Sequence, residues 1–314
     1  MADKIIKNLS KLKLEDTEKF GTKAYHLSVL FSNGFHVPEG YAVSKELFEA
    51  FCLFYDLKPE DRIKPEAVLS KEMPKFISEY FEKIWIHLSE NINTNAIIVR
   101  SSAIGEDSCE HSFAGVYESI LNIRSFDALK TAIIRCWASF YSDQAIKYRL
   151  RNGLCSIGMG IIIQKMVTGD KSGVLFTVDP LTGCKDEMVL EACYGLNTGV
   201  VDSTVSADRY RISRIEKIIS KVTAKKKIKY VLAEKSFELQ IENVEGKLQQ
   251  DSCLSDKEVH KLELIGEHIE DIFGFPCDIE WTILENKVFI LKITEQKVKR
   301  LKINQNLSIF IIKT

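Results

Sequence analysis

Residues 172–183 read SGVLFTVDPLTG, an apolar run followed by a turn. Val, Leu, Phe and Thr side chains dominate the first half, which predicts a buried strand over Ser172–Val178. The second half, Asp179–Gly183, combines Asp, Pro and Gly, the residues that tight turns require for fixed or positive φ angles. The stretch therefore places β-structure at the centre of the second half of the chain, and this observation decides the fold class.

Segments on both sides of this stretch predict further strands and helices. Strands are predicted over Gly160–Val167, Glu187–Cys193 and Arg209–Ile212, and a β-hairpin over Cys277–Leu284 and Lys287–Ile293 around Glu285-Asn286. Helices are predicted where apolar residues recur at helical spacing. Five segments show this spacing: Thr22–Asn33, the residues after Ser44, residues 74–91, Ser125–Tyr141, and the segment from the capping box at Ser255–Glu258 to Phe273. This mixture predicts an α+β fold.

The composition excludes several classes of protein. The 314 residues include 43 Lys and Arg and 44 Asp and Glu, a formal net charge of −1. Such a balance leaves no global positive potential for nucleic acid or an acidic membrane. Apolar runs are far shorter than the roughly 20 residues that span a bilayer, and the charged N-terminus has no signal-peptide core. We expect a cytoplasmic protein with no nucleic-acid or membrane partner.

Cysteines and lysines add little to the functional prediction. No two of the eight cysteines have CxxC spacing, so no structural zinc site is predicted. Five lysines cluster in Lys221–Lys229, which predicts a solvated loop or an edge strand. The alternative, a nucleic-acid site, would need an aromatic platform that the segment lacks.

Basic residues stand at two places where anion sites are often built. Lys23 follows Gly21 in the first turn of a predicted helix, beside backbone N–H groups that favour anions. Arg100 ends an apolar strand and is followed by Ser101 and Ser102, so a guanidinium fork and two hydroxyls could grip phosphate oxygens. The alternatives are a solvated lysine and an arginine in a structural salt bridge.

Two further clusters suit a nucleotide. Asp278 and Glu280 alternate along a predicted strand, so both carboxylates project from one face and could hold Mg²⁺; an exposed acidic strand face is the alternative. Gln164, Lys165, Met166 and Val167 end another strand, where backbone groups could read a nucleobase edge while Met166 covers its face. For Met166 the alternative is a place in the core.

The combination of these segments resembles the ATP-binding domain shared by phosphoenolpyruvate synthase, pyruvate phosphate dikinase and rifampin phosphotransferase. The segments that carry the resemblance occur in the family's order, over about residues 15–293: GTKAYHL (21–27), HVPEGYAVS (36–44), VRSSAIGED (99–107), SFAGVYE (112–118), QKMV (164–167), SGVLFTVDPLTG (172–183), EACYGL (191–196), ADRY (207–210) and DIEW (278–281). The resemblance implies a bilobal ATP-grasp-type fold over 1–296, with a break near 155–170 and a poorly specified tail over 297–314.

The resemblance also implies roles for individual residues. Lys23 and Arg100, with Ser101, would hold ATP phosphates, and the segment 164–167 would line the adenine. Glu191 would lie near the nucleotide, at the ribose, and Glu280 would bind Mg²⁺. The loop over Ala103–Gly115 would cover the phosphates. Such a site works by positioning and charge neutralisation.

In the complete relatives, ATP phosphorylates a histidine on a separate swivelling domain, which carries the group to pyruvate or an antibiotic. No histidine here stands in that domain's Gly-rich Thr/Ser-His context; His111, for example, lies in Glu110-His111-Ser112. The resemblance therefore implies the kinase half of a pyruvate,water dikinase-like transferase, with the phosphohistidine domain as a separate partner.

The chain departs from the family at the end of its last predicted strand. There the family has a Gln that binds metal, one further residue, and an Arg-Pro whose arginine meets phosphate. Lys292 stands at the place of the Gln and Thr294 at that of the Arg. An ammonium has no lone pair for Mg²⁺ and repels it. Thr22, Ala24 and Thr198 are smaller departures.

Two functions remain open at the level of the sequence. The first is an ATP-binding domain that phosphorylates a histidine supplied in trans. The second is a non-catalytic nucleotide-binding or interaction module, from which binding without metal dependence is expected. A frameshift near residue 292 would also explain the uncharacteristic tail. The final phosphoryl acceptor is not encoded in the segments that carry the resemblance.

Overall fold

A computed structural model describes residues 4–58, 63–90, 96–105, 117–151, 158–233 and 238–296. The first sheet is built from the apolar runs of the N-terminal half. It has five antiparallel strands in the order β1-β2-β5-β3-β4. Their bounds are β1 Ile6–Asn8, β2 Gly40–Val43, β3 Ile97–Ala103, β4 Ser119–Ile123 and β5 Met159–Lys165. β5 is central and almost wholly buried, as its run of isoleucines requires.

The stretch SGVLFTVDPLTG contributes to a second sheet of six antiparallel strands, in the order β13-β12-β6-β7-β8-β9. Their bounds are β6 Lys171–Phe176, β7 Glu187–Tyr194, β8 Asp208–Ser213, β9 Ile219–Val222, β12 Cys277–Leu284 and β13 Lys287–Glu295, while β10 Ile228–Leu232 and β11 Leu239–Asn243 form a separate ribbon. The predicted hairpin is confirmed, because Glu285 and Asn286 connect β12 to β13 with φ angles of 50° and 63°.

Helices accompany both sheets, and this arrangement confirms the α+β class. Their bounds are α1 Thr17–Phe20, α2 Thr22–Ser32, α3 Lys45–Phe54, α4 Pro65–Leu69, α5 Lys75–Ser89, α6 Phe126–Ser139, α7 Asp143–Arg151, α8 Thr198–Val201 and α9 Asp256–Phe273. Single 3₁₀ turns occupy Leu9–Lys11, Leu14–Asp16 and Gly246–Gln249. None of the helices in the described ranges is long and apolar enough to cross a membrane.

The predicted helix ends are confirmed at three positions. The Ser44 hydroxyl accepts from the Glu46 amide, Ser255 and Glu258 form a capping box, and Gly274 ends α9 in the left-handed region. The prediction was wrong for the helix from Ser125, which ends at Ser139 rather than Tyr141. There the amides of Phe140 and Tyr141 donate three residues back, and the Ser142 hydroxyl then accepts from Ala145 and starts α7.

Two cores hold the sheets in place. The first packs α3, α5 and α6 against one face of the five-stranded sheet. The second joins the other face of that sheet to the six-stranded sheet, with α2 and α9 contributing apolar residues such as Leu27 and Leu262. α2 therefore lies where both sheets can contact it, and its first turn is positioned by the junction between them.

One prediction for the lysine-rich segment was wrong. Lys226 is 1% exposed, and its ammonium donates to Asp208, which is equally buried. Lys225 and Lys227 on either side of it are exposed, as predicted. A lysine cluster predicts a solvated segment because most lysines in folded proteins are exposed. Composition does not reveal that one of these lysines, Lys226, lies opposite a buried carboxylate.

Candidate functional site

A cavity of about 300 Å³ lies where the two sheets meet. Strands β3, β4 and β5 supply one part of its wall, and β6, β12 and β13 supply another. The first turn of α2 and the segment that leads into α8 complete the wall. Eight of the predicted site residues line this cavity: Lys23, Arg100, Ser101, Gln164, Lys165, Met166, Val167 and Glu280. Asn197 and Lys292 line it as well. Strands distant in sequence thus bring the predicted residues together.

Arg100 crosses from one sheet to the other. It extends from β3, and its Nη1 donates to the main-chain oxygen of Leu291 on β13 at 3.0 Å. Its Nε is buried and has no hydrogen-bond partner among the described residues. Burial lowers the pKa of Arg100 while Glu280 opposes the shift, and a guanidinium remains charged at neutral pH in either case. The cavity wall therefore carries a cation with an unused donor, which the salt-bridge alternative does not explain.

Lys23 reaches the cavity because α2 begins in contact with β3. Gly21 precedes α2 with a φ of 83°, and a Cβ at this position would lie 2.3 Å from the Ser102 hydroxyl oxygen. Only glycine permits both the positive φ and this close approach. The contact places the first turn of α2, and with it Lys23, on the wall that also contains Arg100.

Glu280 and Lys292 are opposite each other on β12 and β13. The Lys292 Nζ donates to Glu280 Oε1 at 2.9 Å, and the side chains are 27% and 14% exposed. Burial raises the pKa of Glu280, but Lys292 and Arg100 outweigh it and the pKa is lowered. Glu280 in turn raises the pKa of Lys292. Both side chains are therefore charged at neutral pH.

Asn197 also contacts this pair and was missed by the sequence analysis. Its Nδ2 lies 3.5 Å from Glu280 Oε2, and its Oδ1 is buried with no hydrogen-bond partner among the described residues. The cavity thus offers an unused acceptor as well as an unused donor. Its only sequence signal is its place directly after the segment EACYGL, because a single amide has no periodicity to reveal it.

The residues present do not fit a divalent ion at Glu280. One oxygen of Glu280 already accepts from an ammonium. Asp278, the second predicted carboxylate, is not part of the cavity wall, and burial together with Glu280 raises its pKa to about 6. Across the described residues, no group of three or more His, Cys, Asp or Glu side chains could hold a metal. A hard cation prefers several anionic or neutral oxygens, and an adjacent ammonium repels it.

The segment 164–167 forms the apolar part of the wall. The Gln164 Nε2 donates to the Pro38 oxygen at 3.0 Å, and the Lys165 ammonium pairs with Glu39 at 2.7 Å. Met166 is 8% exposed and packs with Ala96 and Leu196. Met166 therefore has the place in the core that the alternative interpretation predicted, and it lines the cavity as well.

The structure does not bring Glu191 to the cavity. Its carboxylate accepts from the guanidinium of Arg209 on the neighbouring strand β8, and it is not part of the cavity wall. A cross-strand ion pair satisfies it locally. Thr294 pairs with Asp278 in the β12–β13 register and also lies outside the wall. Residues 106–115 of the predicted covering loop, including His111, and the tail 297–314 lie outside the described residues.

The arrangement suits a ligand with a flat apolar end and a polyanionic end. Apolar side chains such as Met166 and Leu196 line one part of the wall, and the cations Lys23, Arg100 and Lys292 line another. Buried donors and acceptors without partners are uncommon in folded proteins, and the Arg100 Nε and the Asn197 Oδ1 are two such atoms on residues that line this cavity.

Comparison with known proteins agrees with this chemistry. Residues 17–308 match the family described as "Pyruvate phosphate dikinase, AMP/ATP-binding domain". The rifampicin phosphotransferase of Bacillus subtilis (strain 168) is 32% identical over 294 residues, which is 87% of this chain and 33% of that protein. A probable phosphoenolpyruvate synthase of Methanocaldococcus jannaschii is 30% identical over 315 residues, which is 92% of this chain and 26% of that protein. The chain thus spans about a third or less of these two relatives.

Among solved structures, the D-alanine-D-alanine ligase from Coxiella burnetii aligns with 90% of this chain and 50% of its own chain. The TM-score is 0.36 and the sequence identity is 9%.

Proposed function

This chain belongs to the pyruvate phosphate dikinase AMP/ATP-binding domain family, and from that premise we propose that it binds ATP in the cavity between its two sheets and positions it for phosphoryl transfer to a histidine on a separate domain or chain. It is an ATP-binding domain with an α+β fold, and we propose that this fold is of the ATP-grasp type. We further propose that it acts as two lobes with a break near residues 155–170, a range that includes β5 and the connection from β5 to β6.

One observation supports ATP binding above all others. Lys23, Arg100 and Glu280 line a single cavity although they come from a helix and from two different sheets. Arg100 retains an Nε donor without a partner in the described structure. In the proposed complex this donor and the Lys23 ammonium would bind phosphate oxygens, since guanidinium and ammonium groups are the side chains best suited to that contact.

The adenine would occupy the apolar part of the wall. Backbone groups of 164–167 would meet the edge of the base, and Met166 and Leu196 would contact its faces. The unpartnered Oδ1 of Asn197 would accept from a hydroxyl or amino group of the nucleotide. In phosphoryl transfer a bond from phosphorus to the histidine nitrogen forms while a P–O bond of ATP breaks, so this chain's residues contribute positioning and charge stabilisation.

The test is an equilibrium titration with ATP by calorimetry, in EDTA and in excess Mg²⁺. We expect the wild type to bind in at least one condition, and Arg100→Ala and Lys23→Ala to weaken binding by about 10- to 100-fold, the effect of losing a charge-assisted hydrogen bond. Arg135→Ala is the matched control, because Arg135 is half-exposed and neither it nor its partner Glu118 lines the cavity. Absence of binding in both conditions, or unchanged affinity in both cavity variants, would refute the proposal.

A second candidate function is nucleotide binding without turnover. The observation in its favour is the ion pair between Glu280 and Lys292, which places an ammonium where the resemblance implies a metal ligand. Thr294 likewise lacks the charge implied at its position. Incubation of the chain with ATP and the phosphohistidine domain of a relative distinguishes the two functions. Labelled histidine supports transfer. If only the double variant Lys292→Gln/Thr294→Arg produces label, the natural chain is a nucleotide-binding module.

A further inference from the structure

The Glu280–Lys292 pair faces the cavity with part of its hydrogen-bonding capacity unused. An ammonium has three N–H donors. In the described part of the chain, the Lys292 Nζ donates only to Glu280 Oε1, and the Lys292 side chain lines the cavity. The pair is cross-strand on β12 and β13, so both backbones fix its position. A cation is therefore held in place by an anion, with donors left for a further partner.

The charge pattern around the pair is cationic. Arg100 approaches closely enough to lower the pKa of Glu280, and its side chain donates to Leu291, the residue before Lys292. Among the residues that the structure describes, the other carboxylate on the cavity wall besides Glu280 is Asp202, which is exposed at the end of α8. Among the described residues, an incoming ligand thus meets ammonium and guanidinium groups and one partly buried carboxylate, Glu280, which is already paired.

We propose that the Lys292 ammonium, anchored by Glu280, takes the place of a divalent cation in this cavity, so that the chain binds a nucleoside triphosphate as the metal-free polyanion. The inference rests on the proposed ATP binding and deepens it by naming the ligand form. A tethered ammonium can donate its remaining N–H groups to phosphate oxygens, and it needs no coordination shell. It also opposes entry of Mg²⁺ at Glu280 through like-charge repulsion.

The experiment compares wild type, Lys292→Gln, Lys292→Arg and Lys287→Gln in calorimetric titrations with ATP, each in EDTA and in excess Mg²⁺. Lys287→Gln is the matched control, because Lys287 is an exposed lysine on the same strand. We expect the wild type and this control to bind ATP in EDTA at least as tightly as in Mg²⁺. Lys292→Gln is expected to lose about 10- to 100-fold in EDTA and to lose less, or gain, in Mg²⁺. Lys292→Arg, which keeps the charge, is expected to retain binding in EDTA.

A second measurement does not depend on nucleotide. Titration with Mn²⁺ alone, followed by electron paramagnetic resonance, is expected to show ion binding that is stronger in Lys292→Gln than in the wild type, because the variant exposes Glu280 to the ion. Circular dichroism verifies that each variant is folded.

The outcomes separate this inference from the proposed function. If the wild type binds ATP in neither condition, the proposed function fails. If it binds ATP only with Mg²⁺, ATP binding stands and the tethered-cation inference is overturned. Equal ratios of affinity in EDTA and Mg²⁺ for wild type and Lys292→Gln would also overturn it.

Discussion

Two lysine–carboxylate pairs are anchored on the six-stranded sheet, and they differ in what surrounds them. Asp208 on β8 accepts from the Lys226 ammonium at 2.6 Å, and both side chains are 1% exposed. Glu280 on β12 accepts from Lys292 at 2.9 Å, but its pair faces the cavity. The two pairs have similar contacts and the same residue classes, so the difference between them lies in their neighbours.

We call the Asp208–Lys226 pair the closed pair, because other groups of the protein surround it, and the Glu280–Lys292 pair the open pair, because it faces the cavity. Asp208 also accepts from the backbone amides of Ala224 and Cys253, and Lys226 donates to the Ala224 oxygen. Its ammonium lies 5.9 Å above the ring of Tyr194. Asp208 accepts three hydrogen bonds and Lys226 donates two, all within the protein, so this buried pair can fix the segment before β10 but is not accessible to a ligand. The Glu280–Lys292 pair retains N–H donors on Lys292 that a ligand could accept. The two pairs thus differ in how far the protein itself satisfies their hydrogen bonding.

Breaking the closed pair is expected to have the largest effect. Lys226→Met leaves the Asp208 carboxylate buried without its cation, and the free energy of unfolding should fall by about 3–5 kcal/mol. Urea denaturation monitored by circular dichroism measures the loss. ATP affinity of the folded protein should not change, because Lys226 does not line the cavity.

Lys227→Met is the control for this prediction, since Lys227 is the exposed neighbour. Its effect should stay within about 0.5 kcal/mol. Equal losses for the two variants would show that the closed pair does not stabilise the fold.

The difference between the two pairs also shows how far the sequence could lead. The capping box at Ser255 and the turn at Glu285-Asn286 were predicted because each depends on residues a few positions apart. Asp208 and Lys226 pair across a bend of the chain, and their burial depends on the packing of the neighbouring segments, which no local pattern encodes. The lysine was therefore predicted to be solvated.

For the candidate site, the sequence predicted eight residues of the cavity wall but not the hydrogen bonding within it. Lys23, Arg100 and Glu280 stand in segments that resemble a known domain, so their convergence was expected. Glu191 lies in such a segment too, but its partner Arg209 on the adjacent strand holds it away from the wall. Asn197 contributes an unused acceptor that only the packing around it reveals.

The cavity that the open pair faces depends on how closely α2 approaches β3, because this approach places Lys23 on the cavity wall. Gly21→Ala would introduce a Cβ 2.3 Å from the Ser102 hydroxyl oxygen at a residue with a φ of 83°. We expect a loss of about 3 kcal/mol in unfolding free energy, from the left-handed backbone and the overpacking together. ATP binding should weaken as well, because the first turn of α2 carries Lys23. Denaturation and calorimetry measure the two effects.

Gly34→Ala separates strain from packing. Gly34 has a φ of 81°, but a Cβ there would meet nothing within 4 Å. The variant should lose only about 1–2 kcal/mol, the cost of a left-handed conformation for an L-residue, and should keep its ATP affinity. If Gly34→Ala were as destabilising as Gly21→Ala, the contact with Ser102 would have no role.

Breaking the open pair should affect stability less than breaking the closed one. Lys292→Met removes the cation beside Glu280, but Glu280 is 14% exposed, and Arg100 also stabilises its charge. We expect a loss of about 1 kcal/mol in the free energy of unfolding, the net value of one partly solvated hydrogen bond. A loss as large as that for Lys226→Met would show that the two pairs have the same structural role.

A third lysine–carboxylate pair, Lys171 and Glu258, should contribute least to the free energy of unfolding, and its contribution should depend on pH. Lys171 on β6 donates to both oxygens of Glu258, whose side chain is 21% exposed in the first turn of α9. Burial raises the pKa of Glu258, but Lys171 and the Ser255 cap outweigh it and lower the pKa below its usual value. The resulting stabilisation is present above the unfolded pKa and is lost as the pH falls through the lower folded pKa. Glu258→Gln keeps the shape of the capping box, so it should cost about 0.5–1 kcal/mol at neutral pH and almost nothing near pH 3.

Urea denaturation of the wild type and of Glu258→Gln between neutral pH and pH 3 measures this difference. The control is Glu216→Gln, because Glu216 is exposed. A difference independent of pH would mean that packing of the side chain, rather than its charge, stabilises the start of α9.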